Sequence, residues 1–271
     1  MVNNNKPLMR IFCYIPTPRI WKSSITARFI DVNIEIRGTK PPEIKNWLWD
    51  FDARPLTEED KIKLADKTSV GRTGFSIKLY KTDEFLKAHP YGTIPAAFSS
   101  DGKIGVFESN SIMRLVARLK KKNNNIYGSN PYETSRIDGF LDASLIFARS
   151  SQKYLLSINN GSATLKIRNE AKEAYMNYMI GIENALNENK KYGFITSQNI
   201  TLADICFFCE FSLFYREIMP YEKSDKITSI IKEIGPSKFK LSLKHFNKLR
   251  KHPLFKIDSK KYLDSIDKKS T

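Results

Sequence analysis

Residues 8–14, Leu-Met-Arg-Ile-Phe-Cys-Tyr, alternate enough between apolar and polar positions to predict a strand. Residues 19–31 instead have apolar residues at 21, 25, 29 and 30, a spacing that suits a helix. Between them, Thr17-Pro18 supplies a capping hydroxyl followed by proline at the first helical position. Residues 32–36 predict a second strand, so the chain opens β-α-β and that first pair is parallel. Residues 82–119 then predict helix, strand, strand, helix. The strands cover 94–99 and 104–107 around an Asp101-Gly102 turn, and the last helix begins at Ser111. The order is that of a thioredoxin-like α/β domain, four strands with helices on both faces.

Residues 38–75 interrupt this domain. Two short helices, 41–49 and 57–67, are expected there, separated by Asp50-Phe-Asp-Ala-Arg-Pro55. Trp47, Trp49 and Phe51 are expected to pack the insertion onto the domain, with a wall or lid of a substrate pocket as the competing role. Polar residues 119–128 read as a linker. Beyond it the pattern is all-helical. Asn130-Pro-Tyr-Glu133 opens a helix reaching about residue 156, a second covers 163–187, and Thr201-Leu-Ala-Asp204 carries a threonine cap with an acid three residues on. A further helix covers 240–255, and residues 262–271 are expected to be loose. The division is therefore 1–119, with its insertion at 38–75, and 129–260.

A chain of 271 residues with 41% hydrophobic content is long enough for two cores. Neither the first ten residues nor the apolar run 205–215, broken by Glu210, supports a signal peptide or a membrane span, so a cytoplasmic protein is expected. Three cysteines argue against a disulfide framework. Cys206-Phe-Phe-Cys209 has redox or metal spacing, but it falls in an apolar helix with no clustered histidine to complete a zinc site, and no metal is expected. The net charge of +16 is unevenly spread: residues 237–271 hold 11 basic residues against 3 acidic ones, half of the excess. Lys240, Lys244, Lys248 and Lys251 recur there at helical spacing. Without aromatics among them on that face, a solvated surface is favoured over a nucleic-acid patch.

The candidate chemistry lies near residues 85–110. Pro95 heads a strand and cannot donate to its ladder, so a cis bond after Ile94 is expected, leaving the N–H and C=O of Ile94 free for a ligand. Glu108 and Ser109 fall at a helix N-terminus, where N–H groups and the dipole favour a carboxylate. PYGTIPA followed by VFESNSI resembles the glutathione-binding half of cytosolic glutathione transferases, and the resemblance covers most of the chain apart from residues 38–75. FESNSIMRLVA and the surroundings of Trp21-Lys22 are most similar to the transferase-like domain of the gamma subunit of elongation factor one, and to related bacterial transferases. Thr201-Leu-Ala-Asp204-Ile matches the family's folding cap, and the string ending at Phe255 resembles its terminal helix.

The resemblance implies that Ile94 and Pro95 hold the cysteinyl backbone of glutathione and that Glu108 and Ser109 hold its γ-glutamyl end. Lys81 is implied for the glycine carboxylate, with Lys87 and His89 as rivals, and Arg19 is a weaker anion contact. Thr17 stands where the family places its catalytic hydroxyl, beside the simpler role of a helix cap; Tyr14 is the reserve donor, and Cys13 falls within the strand pattern. The implied protein is a homodimeric glutathione S-transferase-like enzyme with glutathione as cosubstrate. Its thiolate would attack a small, hydrophobic, aromatic electrophile held between the domains, by conjugation, displacement or ether cleavage. The alternatives are a non-catalytic protein-binding module of the elongation-factor kind and an RNA-associated scaffold, although nucleic acid and membrane are both disfavoured as partners.

Overall fold

The computed structural model describes residues 7–67, 69–70, 78–120, 125–220 and 227–270. Two compact units divide the chain, residues 1–120 and 121–271. Residues 71–75 of the expected insertion and 121–124 of the expected linker lie outside the described residues.

In the first unit the elements are β1 (Met9–Phe12), α1 (Pro18–Phe29), β2 (Glu35–Arg37), β3 (Trp47–Trp49), β4 (Arg54–Pro55), α2 (Glu58–Lys63), β5 (Ser69–Val70), β6 (Lys78–Lys81), α3 (Asp83–Ala88), β7 (Ala96–Ser99), β8 (Gly105–Phe107) and α4 (Ser109–Arg118). The main sheet runs β2-β1-β7-β8, with β1 parallel to β2 and the other pairs antiparallel. This is the thioredoxin-like order expected from the alternation. Helices α1 and α4 pack together, burying Trp21, Ile25, Ile112, Met113 and Val116. The β7–β8 turn closes through Gly102 N–H to Ser99 O at 2.9 Å, with Gly102 at φ +77° and the Asp101 carboxylate accepting from Lys103 N–H.

The insertion differs from its expected form. Residues 41–49 are not one helix: Pro41–Asn46 is a 3-10 turn, and Trp47-Leu48-Trp49 is strand β3. That strand is paired on both sides, to β4 and to β6, in a second sheet of order β4-β3-β6-β5. Aromatic residues suit such a ladder because their flat sides pack across the pleat, and here that gain outweighs the helical spacing. Trp49 lies edge-on to Phe12 and Phe85, with ring centroids 5.5 and 5.7 Å away, and Phe51 meets Phe98 at 5.6 Å. Arg10 on β1 fastens the segment, donating to Phe51 O at 2.9 Å and Asp52 at 2.7 Å. The insertion aromatics thus complete the core of the first unit.

The second unit contains α5 (Pro131–Asn159), α6 (Leu165–Glu188), α7 (Leu202–Phe214), α8 (Ile230–Ile234), α9 (Lys240–Lys251) and α10 (Pro253–Ser270). Buried helix α7 begins at a reciprocal cap, in which Asp204 accepts from Thr201 N–H at 2.8 Å and from its hydroxyl at 3.1 Å. The other carboxylate oxygen takes Ile195 N–H at 3.0 Å and faces His245 Nε2 at 2.8 Å. The expected helix 240–255 is broken at His252, because Pro253 cannot continue a helix but suits the start of the next one. The expected loose tail is instead the last half of α10. Leu263 and Ile266 are buried, and Asp264 and Asp267 hold Arg250 of α9 at 3.0 and 2.5 Å. No helix among the described residues is long and apolar enough to cross a membrane.

Candidate functional site

Three chain segments meet at one end of the main sheet because of its register. Phe12 is opposite Ala96, and Ala96 is opposite Phe107. Strand β1 leaves at that end toward Thr17, β7 enters there from Ile94-Pro95, and β8 leaves there into Glu108-Ser109. Residues far apart in sequence are therefore brought together by backbone pairing alone.

The segment after β1 is held to the one after β2 by Cys13 N–H to Arg37 O at 3.0 Å and Ile15 N–H to Thr39 O at 2.8 Å. Gly38 permits this approach, since a Cβ there would lie 1.6 Å from Cys13 O. Thr17, 1% exposed, occupies the cap position of α1, yet its hydroxyl makes no cap bond and has no hydrogen-bond partner. Its carbonyl accepts from Ile20 N–H at 3.1 Å, so the backbone starts the helix without the side chain. Tyr14 is half-buried against the core cluster. Cys13 is fully buried, and burial pushes its thiol up to about 12, which makes it an inert core residue at neutral pH.

The bond between Ile94 and Pro95 is cis, as expected, and the Ile94 N–H and C=O make no hydrogen bond among the described residues. The loop before it is shaped from beneath: Lys81 is buried, donates to Gly92 O at 2.9 Å and lies 5.0 Å from the Trp49 ring. Burial lowers the Lys81 pKa. His89 is no rival anion contact. It packs edge-on to Phe98 at 4.6 Å, and burial holds its pKa down at about 4, so it is neutral at physiological pH.

At the third segment, Glu108 is exposed and has φ +67°, a conformation that costs a non-glycine residue of the order of 1–3 kcal/mol. Ser109, 8% exposed, is the first residue of α4, which starts two residues earlier than expected. Its N–H is therefore one of the orphan donors of a helix N-terminus. The pattern along α1 gave no sign that Lys22 belongs here. Fully buried, its ammonium donates to Ser109 Oγ at 3.2 Å and to Asn110 Oδ1 at 2.6 Å. An ammonium only donates, so the Ser109 oxygen accepts and its own proton remains to be given to a ligand. Trp21-Lys22 enters the sequence reading only through its resemblance, and the packing of α1 on α4 reveals the partners of Lys22.

The larger cavity described lies elsewhere, in the helical unit. It has a volume of about 820 Å³ and is lined in part by Tyr154, Glu217, Met219 and Thr228. Its polar groups are internally engaged: Glu217 accepts from Ser229 Oγ at 2.6 Å and from the N–H groups of Ile230 and Ile231. Cys206 and Cys209 are buried free thiols, with Cys206 Sγ donating to Ser144 Oγ at 3.2 Å.

The solved structures with this fold include a glutathione S-transferase of Methylobacillus flagellatus with glutathione bound, at TM-score 0.60 and 10% identity, covering 92% of this chain and 98% of that one. A Bombyx mori glutathione transferase matches at TM-score 0.61 and 17% identity, covering 98% and 96%. Ure2p in complex with glutathione matches at TM-score 0.60 and 13% identity, covering 93% and 98%. The chain thus has the glutathione transferase fold. Among curated proteins it is similar to elongation factor 1-gamma 1 of Oryza sativa subsp. japonica, 30% identical over 160 residues, and to probable elongation factor 1-gamma 2 of Arabidopsis thaliana, 31% identical over 140. These matches cover 59% and 51% of the chain, which spans about a third of the length of either relative, 36% and 33%. No family model matches.

Proposed function

We propose that the first unit binds glutathione and activates its thiol for transfer to a small hydrophobic, aromatic electrophile in a cytoplasmic homodimer. The observation that carries this reading is the Thr17 hydroxyl, buried, unpartnered and placed at the N-terminus of α1 where the three segments meet. A thiolate there would accept a hydrogen bond from Thr17 and face the positive end of α1, both of which lower a thiol pKa. Tyr14 is the reserve donor.

The tripeptide's backbone would pair with Ile94 across the cis-Pro95 turn. Lys81 shapes that turn through Gly92 O and keeps two further N–H groups for the glycine end. The γ-glutamyl carboxylate would take the N–H and hydroxyl of Ser109, oriented by Lys22, while Glu108 accepts from the γ-glutamyl ammonium. No metal enters this chemistry. The thiolate displaces a leaving group from, or adds to, the electrophilic carbon, so that an S–C bond forms and the electron pair passes to the leaving group or to the activated acceptor.

Calorimetry with reduced glutathione tests the binding step. Ser109→Ala or Glu108→Ala should weaken affinity roughly ten- to a hundredfold, the loss of a hydrogen bond worth about 1.5–3 kcal/mol to a charged group. Unchanged affinity in both folded variants removes these residues from the site. The similarity to elongation factor 1-gamma of rice favours a second reading, a protein-binding module. Glutathione binding without turnover of any aromatic electrophile would favour that module, and turnover lost in Thr17→Val would favour the enzyme.

A further inference from the structure

Lys240, Lys244, Lys248 and Lys251 lie on one face of α9, all exposed, along a line of about 16 Å with steps of about 6 Å between the first three. The neighbouring acids are engaged elsewhere. Asp264 and Asp267 hold Arg250, Glu188 holds Arg136 at 3.0 Å, and Glu183 caps α9 through the N–H groups of Leu241 and Ser242 at 2.9 and 2.8 Å. No ion pair involves these four lysines among the described residues, so the stripe keeps its full charge.

A lysine stripe alone is ordinarily solvated surface. What changes the reading is a second element beside it. Lys248 reaches the loop after α6, donating to Gly193 O at 3.3 Å and standing 3.7 Å above the Phe194 ring. That loop adds two exposed lysines, Lys190 and Lys191, and Tyr192, which is 43% exposed. Phe194 therefore lies against the stripe, and the exposed Tyr192 ring, with Lys191 Nζ 5.2 Å from it, stands two residues before Phe194; both are supplied from about 50 residues upstream, where a linear pattern does not place them.

We propose that this face binds single-stranded nucleic acid, with the α9 lysines on successive phosphates of one strand and Tyr192 stacked on a base. The helical steps are comparable to the spacing of phosphates along a strand, and stacking gives the exposed ring a use that an acidic protein segment or a lipid headgroup does not require. This surface is built entirely within the second unit and is separate from the residues assigned to glutathione.

The test is fluorescence anisotropy of labelled 12-nucleotide RNA and DNA of mixed sequence, titrated with the full chain at several salt concentrations. Four to five phosphate contacts give a log–log salt slope of about −3, a loss of roughly 50- to 100-fold in affinity between 50 and 200 mM salt. Changing all four lysines to Gln should abolish binding at the higher salt with glutathione affinity and melting temperature unchanged, whereas changing all four to Arg should retain it. Tyr192→Ala should weaken binding roughly tenfold with little change in the salt slope. Tighter binding of RNA or of DNA identifies the strand, and either supports the proposal. It is overturned if the fourfold Gln variant binds like the parent. It is equally overturned if Tyr192→Ala has no effect while polyglutamate or phosphatidylserine vesicles compete as well as the oligonucleotides.

Discussion

Changing Thr17 to Val removes one hydroxyl and keeps the branched shape of the side chain, so two roles for the residue give effects of opposite sign. If the hydroxyl capped α1, its loss would cost about 0.5–2 kcal/mol. The hydroxyl makes no cap bond and is buried without a partner, a condition that itself costs of the order of 1–3 kcal/mol. Thr17→Val is therefore expected to stabilise the ligand-free protein by about 1 kcal/mol or more. With glutathione bound, the same change removes a hydrogen bond to a thiolate. Such a bond is worth about 1.5–3 kcal/mol, which corresponds to a rise of about 1–2 units in the thiol pKa. Thr17→Ser should leave both quantities near those of the parent. Thermal melts without ligand and thiolate absorbance against pH with it read the two effects separately. A Val variant that is less stable than the parent, with an unmoved titration, refutes the assignment and returns Thr17 to the role of a cap.

Acid sensitivity follows from His89. Its folded pKa of about 4 lies below the ordinary 6.5, so the unfolded chain takes up a proton first, and stability present above pH 6.5 is lost as pH falls toward 4. The loss is of the order of 3 kcal/mol, and His89→Leu should flatten the melting temperature across that window; an unchanged acid limb contradicts it. His252, whose pKa burial also lowers, leaves a residual slope. Leu263→Ala should destabilise the protein by about 2–4 kcal/mol in denaturant unfolding, because α10 is packed to its end; a change below about 0.5 kcal/mol would return it to a loose tail. Asp204→Asn should cost about 3 kcal/mol or more, since the carboxylate serves Thr201, Ile195 and His245 together; a near-neutral melting shift would show that the cap is dispensable.

Period and turn chemistry carry the main sheet: the cis bond at Pro95 and the Asp101-Gly102 turn are local and stand where their residues imply, and Thr17-Pro18 starts α1 as expected, although the Thr17 hydroxyl does not make the expected cap bond. What failed was tertiary. Trp47-Leu48-Trp49 has helical company in sequence, but ladder pairing on both sides makes it a strand. Residues 262–270 look polar and terminal, yet two buried side chains and the Arg250 pairs order them. The partners of Lys22 and of the loop at Gly193 were invisible for the same reason. Lys22 meets Ser109 across 87 residues and Lys248 meets Gly193 across 55, and no short-range pattern encodes a contact of that separation. The segments that resemble glutathione-binding motifs were legible because a hairpin and a helix start place them next to each other in sequence.

The most direct measurement is a crystal structure of the full chain grown with reduced glutathione. The account predicts the sulfur within hydrogen-bonding reach of Thr17 Oγ1, the cysteinyl N–H and C=O paired with Ile94, and the γ-glutamyl carboxylate on the N–H and hydroxyl of Ser109. Glutathione seated elsewhere, or seated there with its sulfur turned away from Thr17 while Tyr14 or a backbone N–H contacts it, would contradict the central claim.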